Sequence, residues 1–154
     1  MKNFKKILGI TAVIIVAASL AGCSGSSDVN SSPKTLADAQ TSFMALITDV
    51  ENTASGQWTA NTKPTTPQPC STSTIGAGTS YQYSSTTDAP FNVEGYIDLM
   101  KKHLISEGYK ITASVVPSPK TYHLTLKQDN GLFLDFSANA NAATLAGTSV
   151  CITQ

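Results

Sequence analysis

Apolar residues recur at steps of three and four along the first part of the chain, which predicts an amphipathic helix over about 33–54. Ser32 is a suitable N-cap, Pro33 suits the first helical position, and Gly56 ends the pattern. The apolar stripe comprises Leu36, Ala39, Phe43, Leu46, Ile47, Val50 and Ala54. Such a stripe needs a surface to pack against, so this helix covers another element.

A second stretch with the same period predicts a helix over about 92–107. Asn92 is the expected N-cap and Gly108 the expected terminator. Its stripe comprises Val93, Ile97, Met100 and Leu104. Two helices with one apolar face each therefore have to share a partner.

Alternation of apolar and polar residues predicts that partner to be a sheet. Tyr109, Ile111, Ala113 and Val115 share one face of a first strand, and Asn130-Gly131 supplies the positive φ angles of a hairpin turn over 128–131. The Thr/Pro/Gly-rich segment 57–80 is predicted to be a long surface excursion. The predicted strands are 81–87, 109–116, 122–127, 132–136 and 148–153.

Helix, strand, helix and then a run of strands is the order of an α+β fold. We expect a two-layer sandwich in which two helices pack on one face of a mainly antiparallel sheet of four to five strands. Residues 33–154 form the single globular domain in this interpretation.

The N-terminal segment has the pattern of an export signal. Lys2, Lys5 and Lys6 form a positive start, 7–18 is apolar, and Leu20-Ala21-Gly22-Cys23 closes it. The apolar run is shorter than the roughly 20 residues that cross a bilayer. An uncleaved anchor helix, or a plain secretory signal with a chance cysteine, are the alternatives.

The sequence Leu20-Ala21-Gly22-Cys23 resembles the lipobox of bacterial lipoproteins. The resemblance implies a signal peptide over 1–22, cleavage by signal peptidase II before Cys23, and a diacylglyceryl group on the Cys23 thiol. The Ser/Gly-rich segment 23–32 is then a flexible tether. The implied localisation is the extracytoplasmic face of the cell membrane, with the membrane as a partner through the Cys23 lipid.

Charge excludes one class of partner. The chain has ten Lys and Arg and ten Asp and Glu residues, and every basic residue is lysine. Removal of the predicted signal peptide leaves seven lysines, so the mature chain is mildly acidic. Nucleic-acid binding proteins normally carry a strong cationic surface, and we therefore expect no nucleic-acid partner.

Cys70 and Cys151 are the two cysteines that remain after Cys23. In an oxidising compartment an even pair normally forms a disulfide, which would join the excursion to the last predicted strand. A catalytic thiol is the alternative interpretation of either cysteine.

Residue types that carry chemistry are few. His103 and Glu107 lie four apart on the second predicted helix, but a zinc site needs three or four ligands, and nothing places His123 nearby. No Gly-x-Ser-x-Gly motif selects a serine nucleophile. We therefore predict no catalytic residue, no metal and no cofactor.

Three aromatic residues near the excursion, Trp58, Tyr81 and Tyr83, are candidates for recognition. Aromatic rings beside a polar loop stack on sugars or anchor a protein partner. The alternative is structural: Trp58 closes the core where the first helix ends, and one tyrosine of each alternating strand points inward.

The lipobox, the Ser-rich tether, a helix followed by Trp58, the cysteine pair and Gly108-Tyr109 together resemble small cell-envelope lipoproteins of actinobacteria. The resemblance implies a protein of unassigned function. We expect a non-enzymatic, lipid-anchored envelope protein that binds an envelope protein or glycan, or serves as an accessory subunit. One alternative is a binder of a small hydrophobic or glycan ligand in a cavity between helices and sheet; another is an envelope hydrolase.

Overall fold

The computed structural model of the chain describes residues 32–74, 76–90 and 92–153. The predicted signal peptide, Cys23 and most of the predicted tether lie outside these residues. In chain order the elements are α1 (Leu36–Ala54), β1 (Thr59–Thr62), β2 (Gln68–Thr72), β3 (Gly76–Ser80), β4 (Gln82–Asp88), α2 (Val93–Ser106), β5 (Ile111–Pro117), β6 (Lys120–Lys127), β7 (Phe133–Ala138) and β8 (Ala142–Thr148). Helices and antiparallel strands make the fold α+β, as predicted.

Helix α1 begins later than the sequence analysis predicts. Its N-cap is Thr35, not Ser32, and the reason is a capping box. The Thr35 side chain accepts a hydrogen bond from the Asp38 backbone N–H at 3.1 Å, and the Asp38 carboxylate accepts one from the Thr35 N–H at 3.2 Å. In a capping box the residue three positions after the N-cap has a carboxylate or amide side chain that accepts a hydrogen bond from the N-cap backbone N–H. Asp38 stands at that position relative to Thr35, whereas Thr35 stands there relative to Ser32.

Helix α2 matches its predicted limits closely. The Asn92 side chain accepts from the Gly95 N–H at 3.1 Å, as an N-cap does. After the helix, Gly108 has a φ of 86°, and the Tyr109 N–H donates to the Leu104 carbonyl oxygen at 3.0 Å. The glycine therefore turns the chain directly from α2 toward β5.

The sheet is larger than predicted. Six antiparallel strands pair in the order β1-β4-β8-β7-β6-β5, and β2 and β3 form a separate two-stranded sheet. The expectation of four to five strands was wrong because β1 and β8 were not recognised; β2 and β3 were also missed, but they lie outside the large sheet.

Strand β8 replaces the predicted last strand. Residues 142–148 pair with both β4 and β7, whereas 148–153 contributes a single bridge between Thr79 and Ile152. The segment Ala142–Thr148 is made of alanine, threonine, leucine and glycine, and alanine and glycine are depleted in strands. Its position between two strands, not its propensity, determines its conformation.

The predicted surface excursion 57–80 is also structured. It contains β1 at one edge of the large sheet and the β2–β3 hairpin, although most of its residues are exposed. Threonine is favourable in strands, and the Thr-rich composition that indicated a loop is equally typical of exposed edge strands. The prediction of a loop was therefore wrong.

The turn between β6 and β7 differs in detail from the predicted one. Of its Asn-Gly pair only Gly131 has a positive φ, at 92°. The Asn130 side chain instead accepts a hydrogen bond from the Leu132 N–H at 3.1 Å. One left-handed residue and one side-chain acceptor complete the turn.

Both helices pack on one face of the large sheet, the inner face. Its core holds fully buried side chains from every layer, among them Ile47, Val50, Met100, Leu124, Leu134, Phe136 and Leu145. At Gly147 a Cβ atom would lie 3.2 Å from the Phe43 ring and 2.8 Å from the Phe133 carbonyl oxygen. The missing side chain allows α1 to approach β8.

Strand β5 lies at the sheet edge, only partly beneath α2. Of the four residues predicted to share its buried face, Tyr109 and Ile111 pack against the core, but Ala113 and Val115 are exposed. The alternation was identified correctly, whereas the burial it normally indicates ends halfway along the strand.

Candidate functional site

The outer face of the six-stranded sheet, opposite the helices, carries polar side chains from every strand. Residues paired directly across antiparallel strands point to the same face. The register therefore aligns one residue from each strand in a first row: Thr59, Thr86, Thr144, Ser137, His123 and Ser114. Five steps of about 4.8 Å make this row about 24 Å long.

A second row runs beside the first, two residues along each strand except β1, where the register shift makes it three. It comprises Thr62, Ser84, Ala146, Asp135, Thr125 and Thr112. The twelve residues of the two rows are half-buried or exposed, and neither row contains a lysine, glutamate or arginine. The outer face is thus lined mainly by short hydroxyl side chains.

A hydrogen-bonded cluster lies where the two rows meet on β6 and β7. The Asp135 carboxylate lies 3.1 Å from His123 Nδ1 and accepts a hydrogen bond from Thr125 Oγ1, also at 3.1 Å. Both side chains of the His–Asp pair are about one quarter exposed. When His123 Nδ1 donates to Asp135, the other ring nitrogen, Nε2, remains available to bond to a ligand.

Ser114 and Ser137 flank His123 on its two neighbouring strands. Ser114, His123 and Asp135 therefore follow one another across β5, β6 and β7, which is the order of a nucleophile, a base and an orienting acid. No hydrogen bond from either serine to His123 is formed among the described residues. The strands place these groups on the outer face of the sheet.

A second His–Asp pair joins the two helices. His103 Nε2 of α2 lies 2.6 Å from the Asp49 carboxylate of α1. Burial, and secondarily the charges of Asp49 and Glu107, raise the pKa of Tyr109, which follows α2. His103 thus contacts Asp49 rather than sharing a ligand with Glu107, and within the described ranges no three His, Cys, Asp or Glu side chains cluster closely enough to hold a metal.

A cleft of about 540 Å³ opens where α1 ends and α2 begins. Tyr96 lies on its wall with its ring 5.5 Å from that of Phe136, and burial raises the pKa of its phenol. The cleft is lined by Ala54, Ser55, Gly56, Gln57, Thr87, Asp88, Ala89, Pro90, Asn92, Gly95, Tyr96 and Leu99. It lies beside the ends of the helices, and the layer between helices and sheet is filled by core side chains.

The three aromatic recognition candidates lie in or against the core. Tyr81 and Tyr83 are each only 8% exposed, and the half-buried Trp58 packs 6.3 Å from Phe136 between ring centres. The Trp58 Nε1–H is buried and has no hydrogen-bond partner among the described atoms. These positions leave little aromatic surface for a ligand.

Tyr83 has a defined structural partner. Its hydroxyl and that of Ser85 each donate to the Glu51 carboxylate of α1 at 2.7 Å. Burial, followed by the Glu51 hydrogen bond, raises the pKa of the Tyr83 phenol. The tyrosine thereby ties β4 to α1.

A cluster that the sequence analysis did not find connects α2 to the β5–β6 hairpin. Glu94 accepts hydrogen bonds from the Tyr122 hydroxyl and from Lys120 Nζ, the latter at 3.1 Å. The Tyr122 hydrogen bond, followed by the Lys120 hydrogen bond and the Lys120 charge, lowers the pKa of Glu94. The predicted strand begins at Tyr122 and leaves Lys120 outside it, whereas β6 includes both residues, and nothing in the sequence connects either of them to Glu94.

The predicted disulfide between Cys70 and Cys151 is present, with the Cα atoms 5.9 Å apart. It joins β2 to the segment after β8. Cys151 is 2% exposed. The bond therefore fastens the β2–β3 hairpin to the main body.

Among the described residues, no helix is both long enough and apolar enough to cross a membrane.

Comparison with known proteins gives little guidance. No protein-family model matches the chain, and no curated protein matches it. Among solved structures, a DUF4853 family protein from Actinomyces odontolyticus is similar, with a TM-score of 0.47 and 15% identity. The likeness covers 75% of this chain and 64% of that one, so the chain spans less than two thirds of the other protein's length. The structural neighbour is thus a weakly matching actinobacterial protein whose name states no function.

Proposed function

We propose that the chain is a lipid-anchored protein of the bacterial cell envelope that binds an envelope glycan through the outer face of its sheet, without catalysis. The leader ending in Leu20-Ala21-Gly22-Cys23 supports the anchor. The observation that carries the binding proposal is the pair of hydroxyl-rich rows across all six strands, with the His123–Asp135–Thr125 cluster at their junction.

The chemistry of the two rows fits a polyhydroxylated ligand. Hydroxyl groups both donate and accept hydrogen bonds, and the His–Asp pair adds a stronger, charged partner. Short Ser and Thr side chains lose little conformational entropy when a ligand orders them, unlike the lysines and glutamates that usually cover an open sheet. Phe133, half-buried and paired with Thr148 at the margin of the same face, offers a ring for stacking on a sugar.

A specific observation favours one further candidate, an envelope hydrolase. Ser114, His123 and Asp135 occupy adjacent strands in the order of a catalytic triad. The missing serine-to-histidine hydrogen bond makes the hydrolase the second choice. A fluorophosphonate probe that labels the wild type but not Ser114→Ala would establish it in place of the binding function.

The anchor is tested by mass spectrometry of protein extracted from the envelope. We expect a mature chain that starts at a diacylglyceryl-modified Cys23. The Cys23→Ala variant should leave the membrane fraction. A mature N-terminus elsewhere, or full membrane retention of the variant, would refute the anchor.

The binding proposal is tested by sedimenting residues 24–154 with purified peptidoglycan sacculi. The Thr144→Lys variant puts a long charged side chain in the middle of the first row and should weaken retention at least tenfold. Thr41→Lys makes the same change on the exposed side of α1 and should leave retention unaltered. Equal retention of all three proteins, or of none, would contradict binding of this glycan by the outer face.

A further inference from the structure

The two edges of the six-stranded sheet are built differently. Strand β1 at one edge has four residues, and its register shifts between Ala60 and Thr62. Short edge strands and bulges are common means of preventing sheets from pairing with one another. The β1 edge is therefore protected.

Strand β5 at the other edge is neither short nor bulged, and its one proline, Pro117, is its last residue. It is seven residues long, it pairs with β6 without interruption from Ile111 to Pro117, and it contains no charged residue. Alternate residues of an edge strand present unpaired N–H and C=O groups outward. Strand β5 thus offers a long, regular and uncharged edge.

Strand β5 exposes one valine on each face of the sheet, beside the exposed polar residues Thr112 and Ser114. Val115 is 52% exposed and points toward the helix side, and Val116 is 46% exposed and points to the outer face. They are two of the four exposed large hydrophobic residues of the described chain. A strand that paired with β5 would cover both valines while it satisfied the free backbone groups.

We propose that this strand is β5 of a second copy, paired antiparallel about a two-fold axis that passes between the Ser114 residues of the two copies. Only this register pairs all seven residues, because Ser114 is the midpoint of 111–117. On the helix side, each Val115 then lies opposite the small Ala113 of the other copy. On the outer face, each Val116 lies opposite Thr112.

Charge does not oppose this pairing. Strand β5 contains no charged residue, so two copies of it bring no like charges directly across the strand pair. The strand is therefore complementary to itself in the register that also pairs the most residues.

The expected dimer is weak. One strand pair buries less surface than the roughly 1,200 Å² at the lower end of stable interfaces. We therefore expect a dissociation constant in the micromolar to millimolar range and exchange between monomer and dimer.

Cysteine crosslinking of the full-length protein in its own cells tests this geometry. Residues opposite each other in an antiparallel pair have Cα atoms about 4.5–5.5 Å apart, within the range of a disulfide. Ser114→Cys should give a band at twice the monomer mass on a non-reducing gel, at least tenfold above the wild type. The wild type retains Cys23, Cys70 and Cys151 and sets the background.

Two further variants distinguish the register. Thr112→Cys alone should stay monomeric, because residues 112 of the two copies lie about 13 Å apart, four strand steps of about 3.3 Å. Coexpressed Thr112→Cys and Val116→Cys chains should crosslink to each other. Thr62→Cys on the β1 edge should remain at background.

Any other pattern overturns the proposal. No Ser114→Cys dimer, equal dimers from Thr112→Cys alone or from Thr62→Cys, or a crosslink to a different protein would each exclude the two-fold strand pair.

As a second measurement, sedimentation of the full chain in detergent should show self-association that Val115→Lys/Val116→Lys weakens at least tenfold. These exposed substitutions should leave the circular dichroism spectrum unchanged, and unaltered association would contradict the β5 interface.

Discussion

Removal of the Cys70–Cys151 disulfide should destabilise the protein without abolishing its fold. The bond closes a loop with a sequence separation of 81. Loop-closure entropy for that length corresponds to about 4.5 kcal/mol, and native disulfides typically contribute 2–4 kcal/mol. The core of helices and large sheet does not include the bond, so we expect the Cys70→Ala/Cys151→Ala variant to fold.

Denaturant unfolding of residues 24–154 measures the effect. The free energy of unfolding of the double variant should be lower by about 2–4 kcal/mol, and the melting temperature lower by about 10 °C. Wild-type protein reduced with dithiothreitol keeps both sulfur atoms and is the control for packing. It should fall within about 1 kcal/mol of the variant, because the removed atoms are small.

The loss of stability should be greatest in the β2–β3 hairpin. Besides the disulfide, the β2–β3 hairpin is joined to the main body by the Thr79–Ile152 bridge and by the hydrogen bond from Thr74 Oγ1 to the Asp129 carbonyl oxygen at 2.7 Å. Hydrogen exchange in 68–80 should therefore accelerate more than exchange in β6 and β7. Unchanged stability of the variant, or equal acceleration in every strand, would refute this account of the bond.

Three further outcomes follow from the core, the caps and the phenols. Phe136→Ala should lower the free energy of unfolding by about 3–5 kcal/mol in chemical denaturation, because Phe136 is fully buried. Leu99→Ala, at a half-exposed position, should lower it by less than about 1 kcal/mol. Similar losses in the two variants would contradict the assigned core. Thr35→Ala should lower the free energy of unfolding by about 1 kcal/mol, because it breaks the capping box. Thr41→Ala removes only a hydroxyl that donates to the Ala37 carbonyl oxygen, and its effect should be nearly neutral. A larger loss in Thr41→Ala than in Thr35→Ala would place the N-cap elsewhere. Because the folded pKa of Tyr83 is raised above the usual value of about 10, the stability it contributes is present below pH 10 and lost as the pH rises through the folded pKa. Unfolding midpoints should therefore fall above pH 10, and less steeply in Tyr83→Phe; an identical fall in the variant would exclude Tyr83 as a contributor.

The helices and the large-residue strands were predictable because their signals are local. The apolar steps from Leu36 to Ala54 and the Asn92 cap identify helices without knowledge of the rest of the fold. Strand β6 has large alternating residues and was identified for the same reason. In contrast, β8 is a strand because β4 and β7 lie on either side of it, and composition gives no sign of that.

The candidate site could not be predicted for a related reason. Ser114, His123 and Ser137 are neighbours only because β5, β6 and β7 pair in a particular register. A shift of one residue would move each side chain to the other face, and a single sequence does not determine register that finely. The disulfide was predictable because its inference required only two cysteines and an oxidising compartment.

Ser114 takes part in both proposals, because it belongs to the first row and lies beside the proposed two-fold axis. In that register the first row of one copy continues into the first row of the other, from Thr59 through Ser114 to the partner's Thr59. A polymeric glycan that follows the row would contact both copies, and linkage of two weak sites raises apparent affinity well above that of either. A short oligosaccharide confined to one copy gains nothing from the second. Loss of the β5 contact should therefore weaken retention on sacculi while leaving affinity for a short fragment unchanged, whereas Thr144→Lys in the row should weaken both.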